Sequence, residues 1–245
     1  MKTTTPAILA EHLGKAYRGR TAVEDVSLRV EAGEVFGIVG ANGSGKTTTV
    51  EMIAGLRVPD RGSASVFGLD ARRDRARLRG LLGVQLQEAY LHHALTVDEL
   101  VRLYRSFYAA PRPAGELLEL VGLAGQGAVR FEKLSGGQQQ RLSIALALAG
   151  RPRVVILDEL TTGLDPRARR QVWAAVEAMR DEGTTILLVS HAMDEVQRLC
   201  GRIAVLDVGR VLAVDTADGL IRRTGAADLD DAFLSMTGRG LEEMT

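Results

Sequence analysis

Cysteine is almost absent from this chain: Cys200 is the only one in 245 residues. That excludes an internal disulfide framework and a cysteine-built zinc site. Net charge is absent too, because 31 Lys and Arg balance 31 Asp and Glu. A tight, sequence-blind grip on nucleic acid rests on a surplus of cationic contacts, so that class is disfavoured. No apolar run approaches the roughly 20 residues needed to cross a bilayer; the stretches at 142–149 and 154–157 are among the longest. The opening Met1-Lys2-Thr3-Thr4-Thr5-Pro6 has no apolar segment behind it, so no signal peptide is readable. A soluble protein of a reducing compartment is expected. Internal repeats and low-complexity tracts are missing, which removes solenoids. Lysine is scarce, at four (Lys2, Lys15, Lys46, Lys133) against 31 − 4 = 27 arginines, a skew attributed to a GC-rich genome.

What remains is ordinary globular material with one excess. Apolar residues make up 46% and charged residues 25%, close to average usage, and a chain of this length buries roughly 70% of its unfolded surface. The 27 glycines are about 11% of the chain, against about 7% on average, so some backbone takes shapes that other residues resist. Short apolar alternations over 7–39 read as strands. Residues 46–56 read as a helix that stops at Val58-Pro59-Asp60-Arg61-Gly62. Strands are expected near 63–67 and 81–86. Thr96-Val97-Asp98-Glu99 is a capping box, opening a helix whose apolar stripe is Val97, Leu100, Val101, Tyr104 and Phe107. Beyond it, strands at 154–158, 185–190 and 203–207 alternate with helices at 166–180 and 193–200, the pattern of a parallel α/β sheet carrying an inserted helical subdomain.

Three motifs carry chemistry. Gly40-Ala41-Asn42-Gly43-Ser44-Gly45-Lys46-Thr47 follows an apolar strand and precedes a helix, as the phosphate-loop template requires. Its glycines let backbone N–H groups turn inward on phosphate oxygens. Lys46 then reaches the β- and γ-phosphates, and the Thr47 hydroxyl sits on Mg²⁺. In Val154-Val155-Ile156-Leu157-Asp158-Glu159 a buried strand ends in two carboxylates: Asp158 suits the Mg²⁺ shell and Glu159 the water that attacks the γ-phosphate. Leu134-Ser135-Gly136-Gly137-Gln138 leads into a third helix, making a second anion-receiving helix start. One triphosphate does not need two.

These residues, in this order, resemble those of ATP-binding cassette (ABC) ATPases over about residues 7–215. In that family the motif at 134–138 of one subunit closes over ATP held by the phosphate loop of another. The resemblance implies a phosphate-loop NTPase (RecA-like) core with a mostly parallel sheet. It also implies an N-terminal antiparallel β-subdomain, an α-helical subdomain at about 88–150 and a short helical tail at 216–245. It implies that ATP is held by Tyr17, stacked on the adenine, by residues 40–47 together with Thr48, and by Ser135, Gly136, Gly137 and Gln138. Mg²⁺ is held by Thr47, Gln87 and Asp158, and catalysis falls to Glu159, His191 and Gln87. Gln85 competes with Gln87 for the Q-loop place, with the spacing from Gly83 favouring Gln87. Gly163-Leu164-Asp165 matches the D-loop.

Plainer readings stand beside these. Tyr17 also fits an ordinary half-exposed aromatic, Arg72, Arg73, Arg75, Arg77 and Arg79 a solvated charged run, and Cys200 a small buried hydrophobe. Leu160 stands where the family has proline, an expected loosening of how Glu159 is held. The implied partners are an integral membrane permease and a second ATPase subunit, identical or related, with the pair peripheral on the cytoplasmic face of the cell membrane. Residues 228–239 resemble the tail of bacterial drug- and antibiotic-export ATPases, which points to export. The alternative is a soluble ABC ATPase acting on nucleic acid or ribosomes. One phosphate loop, one motif at 134–138, no heptads and zero net charge speak against it.

Overall fold

The computed structural model describes residues 5–85 and 91–238; Gln87 lies outside them. In chain order the elements are β1 (Ile8–Tyr17), β2 (Arg20–Val30), β3 (Val35–Val39), α1 (Lys46–Ile53), β4 (Arg61–Val66), β5 (Leu69–Asp70), α2 (Arg75–Leu78) and β6 (Leu82–Gln85). Then come α3 (Val97–Arg105), α4 (Ala114–Leu120), a 3-10 turn at Phe131–Lys133, α5 (Gly136–Ala147), β7 (Val154–Asp158) and α6 (Pro166–Asp181). The chain closes with β8 (Thr185–Val189), α7 (Met193–Leu199), β9 (Arg202–Asp207), β10 (Arg210–Asp215), α8 (Ala217–Thr224) and α9 (Leu229–Thr237). They form two compact units, Met1–Leu78 with Thr185–Thr245, and Arg79–Thr184.

In the first unit the strands run β5-β4-β1-β2-β10-β9-β3-β8. β1 pairs antiparallel with β2 and β4, and β4 with β5, the antiparallel N-terminal part that the family resemblance implied. β3 lies parallel between β9 and β8. Every residue of β3 and β8 is buried, and continuous apolar runs suit strands covered on both faces. The sequence reading stopped at 207 and missed β10, which returns antiparallel along β9. Its run Val211-Leu212-Ala213-Val214 lacks the polar alternation that marks a half-buried strand, although Leu212 and Val214 face outward. The helix expected over 46–56 closes at Ile53, because Gly55 turns left-handed (φ +70°) with its N–H on the Met52 carbonyl at 3.1 Å. A β-carbon on Gly55 would meet the Ala71 carbonyl oxygen at 2.3 Å.

The C-terminal helices are part of this unit's core. Leu220 of α8 and Leu229 and Phe233 of α9 share one buried cluster with Val39, Met193, Val196, Ile203 and Val205. Thr216 and Asp228 cap the two helices at their starts, and Gly225 and Gly238 end them in left-handed turns.

In the second unit β6 and β7 pair in parallel. The capping box forms as expected: Glu99 N–H donates to Thr96 Oγ1 at 3.2 Å, and Thr96 N–H donates to Glu99 Oε2 at 2.8 Å. Phe107, expected on the buried stripe, is instead 67% exposed, since α3 ends at Arg105 and Ser106 caps it. Helices α5 and α6 approach so closely at Gly137 that a β-carbon there would lie 2.7 Å from Ala168 Cβ.

Candidate functional site

The phosphate loop begins where β3 ends, at the centre of the parallel strands of the first unit. Ligands of open α/β sheets gather at such carboxyl ends. Gly43 (φ +78°) and Gly45 (φ +101°) take left-handed backbone that a β-carbon would strain. A β-carbon on Gly40 would meet the Leu206 carbonyl and Ser44 Oγ, each at 2.4 Å. The loop is thereby drawn into a concave cradle, and α1 starts directly behind it. Lys46 is 6% exposed, and its Nζ donates back to the carbonyls of Gly40 at 2.7 Å and Ala41 at 3.0 Å. Ser44 Oγ is buried with no hydrogen-bond partner among the described residues. A buried hydroxyl left unsatisfied costs free energy, and a phosphate oxygen in the cradle would satisfy it. Thr47 and Thr48 open α1, with Thr47 exposed.

Beside the cradle lies a cleft of about 500 Å³, lined by Tyr17, Thr21, Asn42, Gly43, Ser44 and Asp207 among others. That volume is in the range of small-molecule sites. The Tyr17 ring is set by charge: the Arg57 guanidinium carbon lies 5.2 Å from its centroid and Lys15 Nζ 5.7 Å. Arg57 is itself tied to Glu51 of α1 at 2.6 Å. The sequence reading missed Arg57, which lies 40 positions from Tyr17 with no local pattern joining them. His191 follows β8, the neighbour of β3, and is exposed. Ser190 N–H donates to the Ile38 carbonyl at 3.2 Å, so His191 and the cradle leave adjacent strand ends.

The second unit holds the carboxylates and the motif at 135–138. Asp158 closes β7 at 1% exposure, and its N–H donates to Gln85 Oε1 at 3.2 Å. Gln85, the competitor for the Q-loop place, thus braces the strand that carries the acids. Glu159 sits in left-handed backbone, φ +53°, which non-glycine residues seldom adopt and which concentrates at functional sites. A proline at 160 would press its predecessor toward extended backbone. Leu160 applies no such bias and is 1% exposed, so packing takes over from ring stiffness.

Ser135 caps α5. Its Oγ accepts the Gln138 N–H at 3.3 Å, and Gln138 Oε1 accepts the Ser135 N–H at 2.8 Å. The hydroxyl proton stays available to an incoming oxygen. One turn on, Arg141 is 7% exposed and donates to the carbonyls of Gly137 at 3.3 Å, Val121 at 2.8 Å and Gly122 at 3.0 Å. Burial pulls its pKa below the ordinary arginine value. Arg141 pins the start of α5 to the end of α4. Arg141→Ala strips the buried Val121 carbonyl of its guanidinium donor, unties α4 from α5 and lowers stability by about 1–3 kcal/mol, measurable by urea denaturation.

Asp165, before α6, accepts the N–H groups of Arg167 and Ala168, both at 2.9 Å, and these bonds hold its pKa below the usual carboxylate range. A depressed folded pKa means that this cap stabilises above the unfolded value and is lost as pH falls through the folded one. Asp165→Asn flattens that part of the acid-side stability curve, read from urea midpoints across pH.

Of the remaining expectations, Arg72, Arg73, Arg75 and Arg77 are solvent-exposed. The Cys200 thiol is desolvated, which pushes its pKa up. No group of three or more His, Cys, Asp or Glu suited to a metal is present among the described residues. Mg²⁺ commonly takes only one or two carboxylates and completes its shell with substrate phosphates, and Asp158 offers one such carboxylate, 1% exposed at the end of β7. No described helix is long and apolar enough to cross a membrane.

Residues 23–162 match the ABC transporter family. The chain is 35% identical to the linearmycin resistance ATP-binding protein LnrL of Bacillus subtilis, over 96% of this chain and 76% of that one. It is 42% identical to the daunorubicin/doxorubicin resistance ATP-binding protein DrrA of Streptomyces peucetius, over 91% and 69%. With the Nod factor export ATP-binding protein I of Neorhizobium galegae it shares 40% identity over 85% and 62%. Among solved structures, an ATP-binding subunit of an ABC transporter aligns with TM-score 0.84 at 28% identity, covering 94% of this chain and 99% of the other. A dimeric ATP-binding cassette in a post-hydrolysis state, bound to ADP and Pi, aligns with TM-score 0.78 at 27% identity, covering 85% and 98%. With the family pattern spanning more than half of the sequence and the relatives nearly all of it, the chain belongs to the ABC transporter family as one of its ATP-binding, ATP-hydrolysing subunits.

Proposed function

We propose that this subunit powers export through a separate integral membrane permease, working in a pair of ATPase subunits, identical or related, on the cytoplasmic face of the membrane. The observation that carries the reading is the duplication of anion-receiving ends: a glycine cradle with Lys46 in one unit and a serine-capped helix start in the other. A head-to-tail pair uses both, each subunit's residues 135–138 closing on the other's cradle. Lys46, Thr47, Thr48 and the loop amides neutralise the triphosphate, and Tyr17 carries the adenine. Thr47 and Asp158, with Gln87, would hold Mg²⁺, which would supply charge neutralisation on the phosphates. Glu159 orients and deprotonates the attacking water, while His191 and Gln87 complete the surroundings of the γ-phosphate.

The resistance and Nod factor export roles in the relatives' names support export. The ATPase domain is read as 7–215, with the helical subdomain at about 88–150 and the tail at 216–245. On α3 and just past it, Leu103 (42%) and Phe107 (67%) are large exposed apolar groups four residues apart; the reading places the permease contact on this helical subdomain.

A mixing experiment tests the pairing. Ser135→Arg chains and Lys46→Ala chains are each inactive alone, but mixed dimers keep one intact composite site and regain up to about half of the normal activity per dimer. Mixed dimers, proven by two tags, that stay as inactive as either parent overturn the shared site.

A further inference from the structure

We propose that Phe233, on α9, is a positioning residue for His191; this rests on the role given to His191 above. Helix α7 begins two residues after His191 and has only seven residues, too short to be stable in isolation. Its N-cap, Ala192, has no side chain to bond the first turn. Ala192 N–H donates to Ser190 Oγ at 3.0 Å and Glu195 N–H to Asp194 Oδ1 at 2.9 Å, short-range ties that leave the placing of the helix as a whole to its packing. The position of α7, and with it the direction in which His191 leaves β8, is therefore fixed by what α7 packs against.

One side is β3. At Gly37 a β-carbon would lie 2.9 Å from Cys200 Sγ and 3.0 Å from Val196 Cγ1, so α7 rides on that strand as closely as glycine permits. The other support is α9. Phe233, at 1% exposure, and Leu229, at 2%, join Met193 and Val196 in one buried cluster. Phe233 is one of the largest fully buried side chains of the protein. Without its ring the cluster that holds α7 and α9 together has a void, and dense cores respond to such voids by partial collapse. The collapse moves the start of α7, two residues from the imidazole. Displacements of about 1 Å at reacting groups cost up to about a hundredfold in rate.

The test is a double-mutant cycle on the full chain with two readouts, nucleotide affinity by titration and ATP turnover. Phe233→Ala is expected to lower kcat about tenfold or more while ATP affinity stays within about twofold, and Phe233→Leu, which refills most of the volume, restores most of the rate. Leu234→Ala, an exposed neighbour on the same helix, leaves both readouts unchanged. His191→Ala combined with Phe233→Ala is no slower than His191→Ala alone, because both act through one group. If Phe233→Ala fails to fold, Phe233→Val takes its place in the cycle. Losses that multiply in the double variant, or affinity falling together with rate, show a general structural role and overturn the proposal. So does full turnover by Phe233→Ala while His191→Ala is slow. Full turnover by His191→Ala instead removes the role of the histidine itself, a failure of the underlying reading recognised by that variant alone.

Discussion

Replacing Glu159 by glutamine lowers ATP turnover by about two to four orders of magnitude, the usual worth of a positioned general base, and leaves ATP binding intact. The exchange keeps the volume and one carbonyl oxygen and removes only the basic carboxylate. The cradle at 40–47 keeps its sequence, and Lys46 keeps its hydrogen bonds to the carbonyls of Gly40 and Ala41. The backbone at 159 is already committed to φ +53° and is followed by a buried leucine, so glutamine inherits the same seat. With binding preserved and hydrolysis stopped, the ATP-closed pair no longer dissociates and accumulates. Phosphate release measures the rate, and size-exclusion chromatography with and without ATP measures the dimer. Turnover near the normal value assigns the base to another group.

Lys46→Ala acts at the opposite stage. Lys46 Nζ is buried and aimed across the mouth of the loop, resting on the carbonyls of Gly40 and Ala41. In the function proposed above it is the cation that meets the β- and γ-phosphates on entry. Truncating one partner of a buried charge pair costs about 2–5 kcal/mol, which is at least a thirtyfold rise in nucleotide Kd. Lys46→Arg is not a rescue, because a planar guanidinium fork does not replace a compact ammonium in a cradle closed by Gly40 and Ser44. Titration with a fluorescent nucleotide reads the loss directly, and unchanged affinity removes the lysine from the site.

The cradle, both carboxylates and the capped helix start at Ser135 were legible because each is a local pattern. The residue type, its spacing and the neighbouring strand or helix lie within ten positions. The capping box at Thr96 was legible for the same reason. What stayed hidden depends on contacts between distant positions. Arg57 reaches Tyr17, Arg141 reaches Val121 and Gln85 reaches Asp158 only after the chain has folded. β10 was missed because its exposed apolar residues imitate neither a buried strand nor an amphipathic one. Phe107 was misplaced because periodicity says nothing about where a helix stops, and α3 stops two residues before it.

The absence of a β-carbon at Gly137 lets α5 and α6 interlock there. The same ends of the two helices carry Ser135 and Asp165 as their caps. Neither helix start can slide without driving its neighbour, so the serine and the aspartate form two tips of one stiff fork. A displacement of either helix start reaches both tips at once, and an alanine at 137 would pry the prongs apart.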